Sequence, residues 1–125
     1  MYNNFMTKKE LGNLGEKLAA KYLIKKDYKV IATNYRGRHG EIDIIAQNLT
    51  NQELVFVEVK TRTNRDYGYP EEAVNNLKKC RLMHTAEKFL WSNNYSIKQN
   101  YRFDTIAIEI DLDKKQAKIK HLEYI

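Results

Sequence analysis

The chain contains one cysteine and one proline among its 125 residues, and it has no long apolar run. Because Cys80 is the sole cysteine, no internal disulfide can form, and we expect a cytoplasmic protein. No apolar run approaches the roughly 20 residues of a membrane span, so we expect no membrane association. Residues 1–5 lack the basic and apolar segments of a signal peptide. No His and Cys spacing is typical of zinc sites, and no glycine-rich phosphate loop is present.

Positive charge is what the composition has in excess. There are 22 lysines and arginines against 16 aspartates and glutamates, which gives a formal net charge of +6. This balance fits a nucleic-acid partner, although many basic proteins bind none. With 42% hydrophobic and 30% charged residues, the composition is typical of a globular protein. We expect residues 1–125 to form a single domain.

Hydrophobic periodicity predicts two helices and about five strands in the order α-β-β-β-α-β-β. The first helix begins with a capping box at Thr7 and Glu10 and runs to about Lys26. The second runs from Pro70 to about Asn93. Strands are predicted at residues 29–35, 41–46, 54–60, 101–112 and 117–124. A helix between strands implies a crossover connection, so we expect an α/β fold with a mixed central sheet flanked by helices.

Small and apolar residues indicate how the two helices pack. Gly12 and Gly15 are unfavourable inside a helix, so we expect them to allow close approach of the first helix to the sheet. Glu16 follows at the edge of the apolar face, where its carboxylate could lean toward the sheet. We expect the second helix to bury an apolar stripe together with His84; the stripe consists of Ala73, Leu77, Cys80, Met83, Leu90 and Trp91.

Charged residues interrupt two strands that are otherwise apolar enough for the centre of a sheet. By alternation, Glu41 and Asp43 share one face of their strand, with the neighbouring isoleucines on the other, and Glu58 and Lys60 project together from the next strand. Phosphodiester hydrolysis needs a cation that neutralises phosphate and activates water, and oxygen ligands suit Mg²⁺. The pattern therefore predicts that Asp43 and Glu58 bind Mg²⁺ or Mn²⁺. Lys60 would serve the water, and Glu16 would add a further ligand.

A plainer interpretation stands beside this one. The same acids and lysine could form an ion pair between neighbouring strands, since buried charges are usually paired. The acidic-x-Lys tripeptide is not specific by itself, because it occurs three times in the chain. Only the copy at Glu58 lies in a strongly apolar strand that follows a second strand carrying an acid. Glu41 could equally pair with Arg36 or Arg38 at the rim of the site.

Basic residues near the expected site are candidates for nucleic-acid binding. Arg36, Arg38 and Arg62 flank the site, where they could hold phosphates. Lys78 and Arg81 on the second helix are weaker candidates of the same kind. The alternative for each is ordinary surface charge.

Several motifs together resemble the YraN family of small bacterial proteins, over nearly the whole chain. They are Gly15-Glu16, the Asn34-Tyr35-Arg36 turn, and residues 40–46 (GEIDIIA), 55–62 (VFVEVKTR) and 67–73 (YGYPEEA). That family is similar to the restriction-endonuclease-like superfamily, with its PD-(D/E)xK site, and to archaeal Holliday-junction resolvases. The resemblance implies a restriction-endonuclease-like fold, with Asp43 as the first metal-binding acid, Glu58 and Lys60 as the acidic-x-Lys pair and Glu16 as the acid of the first helix. Ile42 stands where the superfamily's name has proline.

Three functions follow as hypotheses. The first is a Mg²⁺- or Mn²⁺-dependent endonuclease that hydrolyses phosphodiester bonds in DNA, with branched DNA as a candidate substrate. The second is a nucleic-acid-binding module whose nuclease site is weak or silent. The third is a structural protein with a charged network. By analogy with resolvases that cut two strands, the protein could be a homodimer.

Overall fold

The computed structural model describes residues 6–64 and 76–123. The helices and strands follow one another in the predicted order: α1 Lys8–Lys25, β1 Tyr28–Gly37, β2 Gly40–Asn48, β3 Leu54–Thr63, α2 Asn76–Ser92, β4 Tyr101–Asp111 and β5 Gln116–Leu122. The predicted capping box at Thr7 and Glu10 is present at the start of α1. Within the described ranges, no helix is long and apolar enough to cross a membrane. The expected helix start at Pro70 and strand end at Tyr124 lie outside the described residues.

All the described strands belong to one five-stranded sheet, in the order β1-β2-β3-β4-β5. β3 and β4 are parallel, whereas the other neighbouring pairs are antiparallel. A parallel pair needs a crossover connection, and α2 lies in the chain between β3 and β4. The predicted α/β fold with a mixed sheet and its element order are therefore confirmed.

The two helices cover opposite faces of the sheet, so the core has two layers. Ala19 and Leu23 of α1 pack on one face, in a layer that includes Ile44, Ala46, Val55, Val57, Ile106, Ile108 and Ile110. Ala86 and Phe89 of α2 pack on the other face, with Ile42, Ile45, Leu54 and Phe56. Alternate residues of β3 point into alternate layers, as a strand between two helical layers requires.

Gly15 brings α1 close to β3. A Cβ atom at this position would lie 1.9 Å from Oγ1 and 2.9 Å from Cβ of Thr61. The predicted close approach to the sheet is therefore confirmed for Gly15. It is wrong for Gly12, where an added Cβ would meet no atom within 4 Å.

β1 and β3 are longer than the sequence indicates. Gly37 pairs with Gly40, so the turn between β1 and β2 contains only Arg38 and His39. The expectation of a turn at residues 34–36 is therefore wrong, because these residues continue β1. Residues 61–63 likewise extend β3 beyond its predicted end at residue 60. Cross-strand pairing keeps these residues in the strands where local propensity favours a turn, although Asn34 itself has a left-handed backbone.

The predicted core face of α2 is wrong. Its apolar members are largely exposed: Leu77 is 60% exposed, Met83 50% and Trp91 87%. Cys80 is exposed too, and the His84 side chain is 63% exposed. Leu90 alone of the described stripe packs on the core, and Ala73 lies outside the described residues.

The face of α2 that meets the sheet combines two small residues with Leu82 and Phe89. Thr85, Ala86 and Phe89 are buried there, and Leu82 is partly buried. A Cβ atom at Gly37 would lie 3.1 Å from Cγ2 of Thr85, so the helix approaches β1 closely at this point. Close packing at the small residues decides which face is buried, and apolar periodicity alone selects the wrong one.

A buried polar network lies on the α1 side of β4. The Asp104 side chain is 0% exposed and accepts a hydrogen bond from Nε of Arg102 at 2.9 Å. Nε2 of His121 lies 2.6 Å from the same carboxylate, and Nδ1 lies 3.0 Å from the Tyr22 hydroxyl of α1. Arg102 also donates to the Tyr28 hydroxyl at 2.7 Å. The network therefore joins α1, β1, β4 and β5, and its buried charges are paired with one another.

Candidate functional site

Asp43 lies where β2 and β3 part. The antiparallel register between the two strands ends at the pair of Ile44 and Val57. Beyond that pair, the backbone N–H of Val59 donates a hydrogen bond to Oδ2 of Asp43 at 2.8 Å. The carboxylate therefore takes the place of the carbonyl acceptor that a paired strand would supply.

The expected alternation along β2 is wrong at this point. Ile42 packs in the α2 layer, whereas Ile44 packs in the α1 layer. Regular alternation would place both on one face. The side chains of β2 switch faces of the sheet at Asp43, because strand pairing ends here and the acid turns toward β3.

Glu58 and Lys60 project together on the α2 side of β3. Nζ of Lys60 lies 3.7 Å from Oε2 of Glu58. Lys78 of α2 forms a closer ion pair with the same Oε2 atom. Two lysines from different elements therefore converge on one carboxylate, of which the side chain is only 15% exposed.

The pKa of Asp43 is raised from its ordinary 3.8 to about 6. Burial is the main cause, and the hydrogen bond from Val59 opposes it. The nearby carboxylates of Glu16, Glu58 and Glu41 add to the rise, in that order. Asp43 is thus a buried acid in a negative environment, and such a group gains most from a bound cation.

The two lysines differ in their readiness to lose a proton. Burial lowers the pKa of Lys60, and the neighbouring Lys78 lowers it further, with Glu58 opposing both. Burial also acts to lower the pKa of Lys78, but its hydrogen bond to Glu58 and the interaction with Lys60 raise that pKa above the ordinary value. Lys60 therefore loses its proton more readily, and Lys78 is the more firmly held cation.

Glu16 approaches the site from α1. It directly follows Gly15, whose contact with Thr61 sets the distance between helix and sheet. Nδ2 of Asn34 donates to Oε1 of Glu16 at 3.1 Å. Asn34 has φ of 51°, an uncommon backbone conformation that asparagine tolerates better than most residues. The structure thus brings Glu16 near Asp43 and fixes it through an amide of β1.

The three candidate arginines occupy different places. Arg36 pairs with Glu41, with Nε 3.0 Å from Oε2, which confirms the rim interpretation of Glu41. Arg38 is exposed in the turn after β1. Arg62 is two residues beyond Lys60 on β3 and so shares its face. Only Arg62 therefore lies on the strand that carries Glu58 and Lys60.

The donor set fits a hard cation in its chemistry. Oε1 of Glu58 is buried and has no hydrogen-bond partner in the described part of the chain. Asp43 is a second carboxylate shielded from water, and carboxylate oxygens are the ligands that Mg²⁺ and Mn²⁺ prefer. Within residues 6–64 and 76–123, no three His, Cys, Asp or Glu side chains converge as a ready ligand set. A cation at this place would therefore need further oxygens from water or phosphate, as is usual for Mg²⁺.

Sequence reasoning gave too little weight to two residues of this arrangement. Lys78 was only a weak candidate for phosphate contact, because nothing in the helix sequence indicates which strand residue it meets. Asn34 belongs to a motif that is expected to form a turn, and its sequence indicates no functional role. The one feature of the sequence that could indicate Asn34 is its residue type, because asparagine tolerates a left-handed backbone within a strand better than most residues do.

Comparison with known proteins shows a family. The profile of the uncharacterised protein family UPF0102 matches residues 15–108. A UPF0102 protein of Alkaliphilus oremlandii is 45% identical over 116 residues, which cover 92% of this chain and 96% of the relative. A UPF0102 protein of Roseiflexus castenholzii is 40% identical over 114 residues, with 91% and 90% covered. One of Caldanaerobacter subterraneus is 41% identical over 118 residues, with 94% of each covered.

The family match also agrees with the motifs described above. Its residues 15–108 include Glu16, Asp43, Glu58 and Lys60. The chain therefore belongs to the uncharacterised protein family UPF0102, which is the YraN family that its motifs resemble.

Proposed function

We propose that this protein is a metal-dependent endonuclease that hydrolyses phosphodiester bonds in DNA. The observation that carries the proposal is the placement of Asp43, Glu58 and Lys60 together where β2 and β3 part. Carboxylates shielded from water are costly unless a cation compensates them, and the buried Oε1 of Glu58 lacks a partner among the described residues. The resemblance to the PD-(D/E)xK superfamily supports the same chemistry.

Each residue has a role in this proposal. Asp43 and Glu58 would hold Mg²⁺ or Mn²⁺, which neutralises phosphate charge and lowers the pKa of water when bound. Because burial lowers the pKa of Lys60, it loses its proton more readily than Lys78, and its neutral amine would take a proton from the attacking water. Lys78 stays charged and can stabilise negative charge on the phosphate. Glu16 would assist as a further ligand through water.

Hydrolysis at this site exchanges one phosphorus–oxygen bond for another. The water oxygen forms a bond to phosphorus, and the bond from phosphorus to the leaving backbone oxygen breaks. One water proton passes to the Lys60 amine, and the leaving oxygen takes a proton from solvent. Lys60 then returns its proton to solvent, so no oxidant, reductant or further reactant is consumed.

The proposed substrate is branched DNA in the cytoplasm, held by the arginines around the site. Arg62 shares the face of Lys60 and is the best placed for phosphate contact, with Arg36 and Arg38 at the β1–β2 hairpin. A homodimer is part of the proposal, because Leu77 and Trp91 leave apolar surface exposed on α2. Two copies would supply two sites for cutting two strands.

The test is cleavage of a four-way DNA junction and a linear duplex with Mg²⁺ or Mn²⁺. Asp43→Asn and Lys60→Ala should abolish cleavage while leaving junction binding in place, because they remove a metal ligand and a proton acceptor. Lys29→Ala, an exposed lysine of β1, is the matched control and should cleave like the wild type. Unchanged cleavage in Asp43→Asn and Lys60→Ala would show that the site is wrongly assigned.

A nucleic-acid-binding module without turnover is the second candidate. The ion pair of Lys78 with Glu58 favours it, because a lysine can neutralise the carboxylate that a metal would otherwise need. Such a protein should bind DNA with strong salt dependence and show no metal-dependent cleavage on any tested substrate.

A further inference from the structure

β5 shares a face of the sheet with the candidate site. The register aligns the side chains of β3, β4 and β5 in rows that cross the three strands. Neighbouring strands are about 4.8 Å apart, so residues two strands away lie about 10 Å from each other. One row consists of Lys60, Ala107 and Lys120, and the next consists of Arg62, Glu109 and Lys118.

The face on which these rows lie follows from the α1 layer. Ile106 packs in that layer, and its β5 partner His121 lies 3.0 Å from the Tyr22 hydroxyl of α1. Lys120 and Lys118 alternate with the residues of that layer, so they point to the opposite side. This is the side on which Glu58 meets Lys78 of α2, so both lysines share the face of Glu58 and Lys60.

The rows carry mostly positive charge. Lys118 and Lys120 are exposed, and Lys60 and Arg62 belong to the same two rows. Glu109 is the single acid within the rows. We call the group of Lys60, Arg62, Lys118 and Lys120 the basic rows. Each row has a basic residue on β3 and another on β5, with Ala107 or Glu109 of β4 between them.

We propose that Lys118 and Lys120 bind backbone phosphates of the DNA duplex that enters the candidate site. This inference rests on the proposed function. The distance of about 10 Å from Lys60 corresponds to roughly three base-pair rises along a duplex, so one strand can contact both places. Lysine acts as a point charge without the planar fork of arginine, so these contacts favour DNA without reading its sequence.

Edge protection is another role for lysines on β5. Charged side chains on an edge strand prevent pairing with a second sheet, and that role needs no partner molecule. The two roles differ in their consequences. Phosphate contact makes DNA affinity depend on these lysines, whereas edge protection affects only solubility and self-association.

The experiment compares two double variants of equal charge. Lys118→Ala/Lys120→Ala removes the proposed contacts, and Lys21→Ala/Lys25→Ala removes two exposed lysines from α1 on the other side of the sheet. Binding to a labelled four-way junction and a linear duplex is measured by fluorescence anisotropy in EDTA, between about 50 and 200 mM salt. Unfolding midpoints in urea verify that both variants fold.

Lys118→Ala/Lys120→Ala should weaken binding to both DNAs. The slope of log Kd against log salt concentration should fall by about 1.8, because each phosphate contact contributes about 0.9. The α1 variant should change the slope far less. If both variants bound DNA with the affinity and the salt slope of the wild type, the inference would be overturned and the proposed function would stand. Absence of DNA binding by the wild type in EDTA would also overturn the inference, whereas the proposed function is tested separately by cleavage with Mg²⁺ or Mn²⁺.

Discussion

The carboxylate of Asp43 accepts a hydrogen bond from the backbone N–H of Val59 at 2.8 Å, beyond the last paired residues of β2 and β3. The acid satisfies a donor that the separation of the strands leaves without a carbonyl partner. It thereby remains in a partly buried position where its pKa rises to about 6. The end of strand pairing thus brings a carboxylate with a shifted pKa beside Glu58 and Lys60.

Gly15 allows the close packing of α1 on β3 that brings Glu16 to the site, and two glycine variants test this packing. Gly15→Ala should lower the free energy of unfolding by about 1–3 kcal/mol, because the new Cβ overlaps the Thr61 side chain and forces the helix from the sheet. Gly12→Ala should raise it by about 0.5–1 kcal/mol, since alanine favours helix and the site has space. Urea unfolding measures both, and equal effects at the two positions would contradict the close approach.

In the proposed metal site, Lys78 would compete with the cation for Glu58, because the two side chains form an ion pair. Lys78→Met should tighten Mn²⁺ binding by roughly three- to tenfold, equivalent to about 0.7–1.4 kcal/mol, because it removes a cation already paired with the carboxylate. Lys79→Met is the matched control, because Lys79 is the next residue of α2, is exposed, and loses the same charge on substitution. Isothermal titration measures both affinities. Weaker binding in Lys78→Met than in Lys79→Met would mean that Lys78 supports the site instead of competing.

The network around Asp104 should make the free energy of unfolding depend on pH in the acidic range. Burial alone would raise the pKa of Asp104, but His121 and Arg102 hold it below its ordinary 3.8. A lowered pKa in the folded state contributes stability at pH values above 3.8, and this contribution is lost as the pH falls below that value. Asp104→Asn should therefore lower the free energy of unfolding by about 3 kcal/mol at neutral pH, where Arg102 loses its buried partner.

The difference between wild type and Asp104→Asn should shrink as the pH falls below about 4, because the carboxylate is protonated first in the unfolded chain and, at lower pH, in the folded protein as well. Urea unfolding over the pH range gives this difference. Glu87→Gln is the control, since its side chain is 63% exposed and its pairing with His84 is worth little. A constant difference between Asp104→Asn and wild type at all pH values would show that the charge of Asp104 contributes nothing.

The element order and the pairing of Glu58 with Lys60 could be predicted because they depend on local patterns. A capping box, alternation within β3 and one helix between strands are each visible in a short stretch of sequence. Which face of the sheet each side chain of β2 occupies could not be predicted from such a stretch. It changes at Asp43 because pairing with β3 stops there, which is a relationship between two strands.

The same limit explains the errors in α2. Apolar periodicity favours the face with Leu77 and Trp91, but the close contact of Thr85 with β1 at Gly37 selects the adjacent face. The role of Lys78 follows from that choice, because the helix orientation decides which charged residue reaches Glu58. Likewise, the hydrogen bond from Asn34 to Glu16 joins residues 18 positions apart and depends on how α1 lies on the sheet.

The central claim is that Asp43 and Glu58 form a divalent-cation site that serves DNA hydrolysis. Calorimetric titration of Mn²⁺ into wild type and Asp43→Asn, each with and without a four-way DNA junction, tests it most directly. We expect the wild type to bind Mn²⁺, more tightly with DNA because phosphate supplies further oxygen ligands, and Asp43→Asn to lose this binding in both conditions. Equal Mn²⁺ binding by both proteins, or no binding by the wild type even with DNA, would contradict the claim.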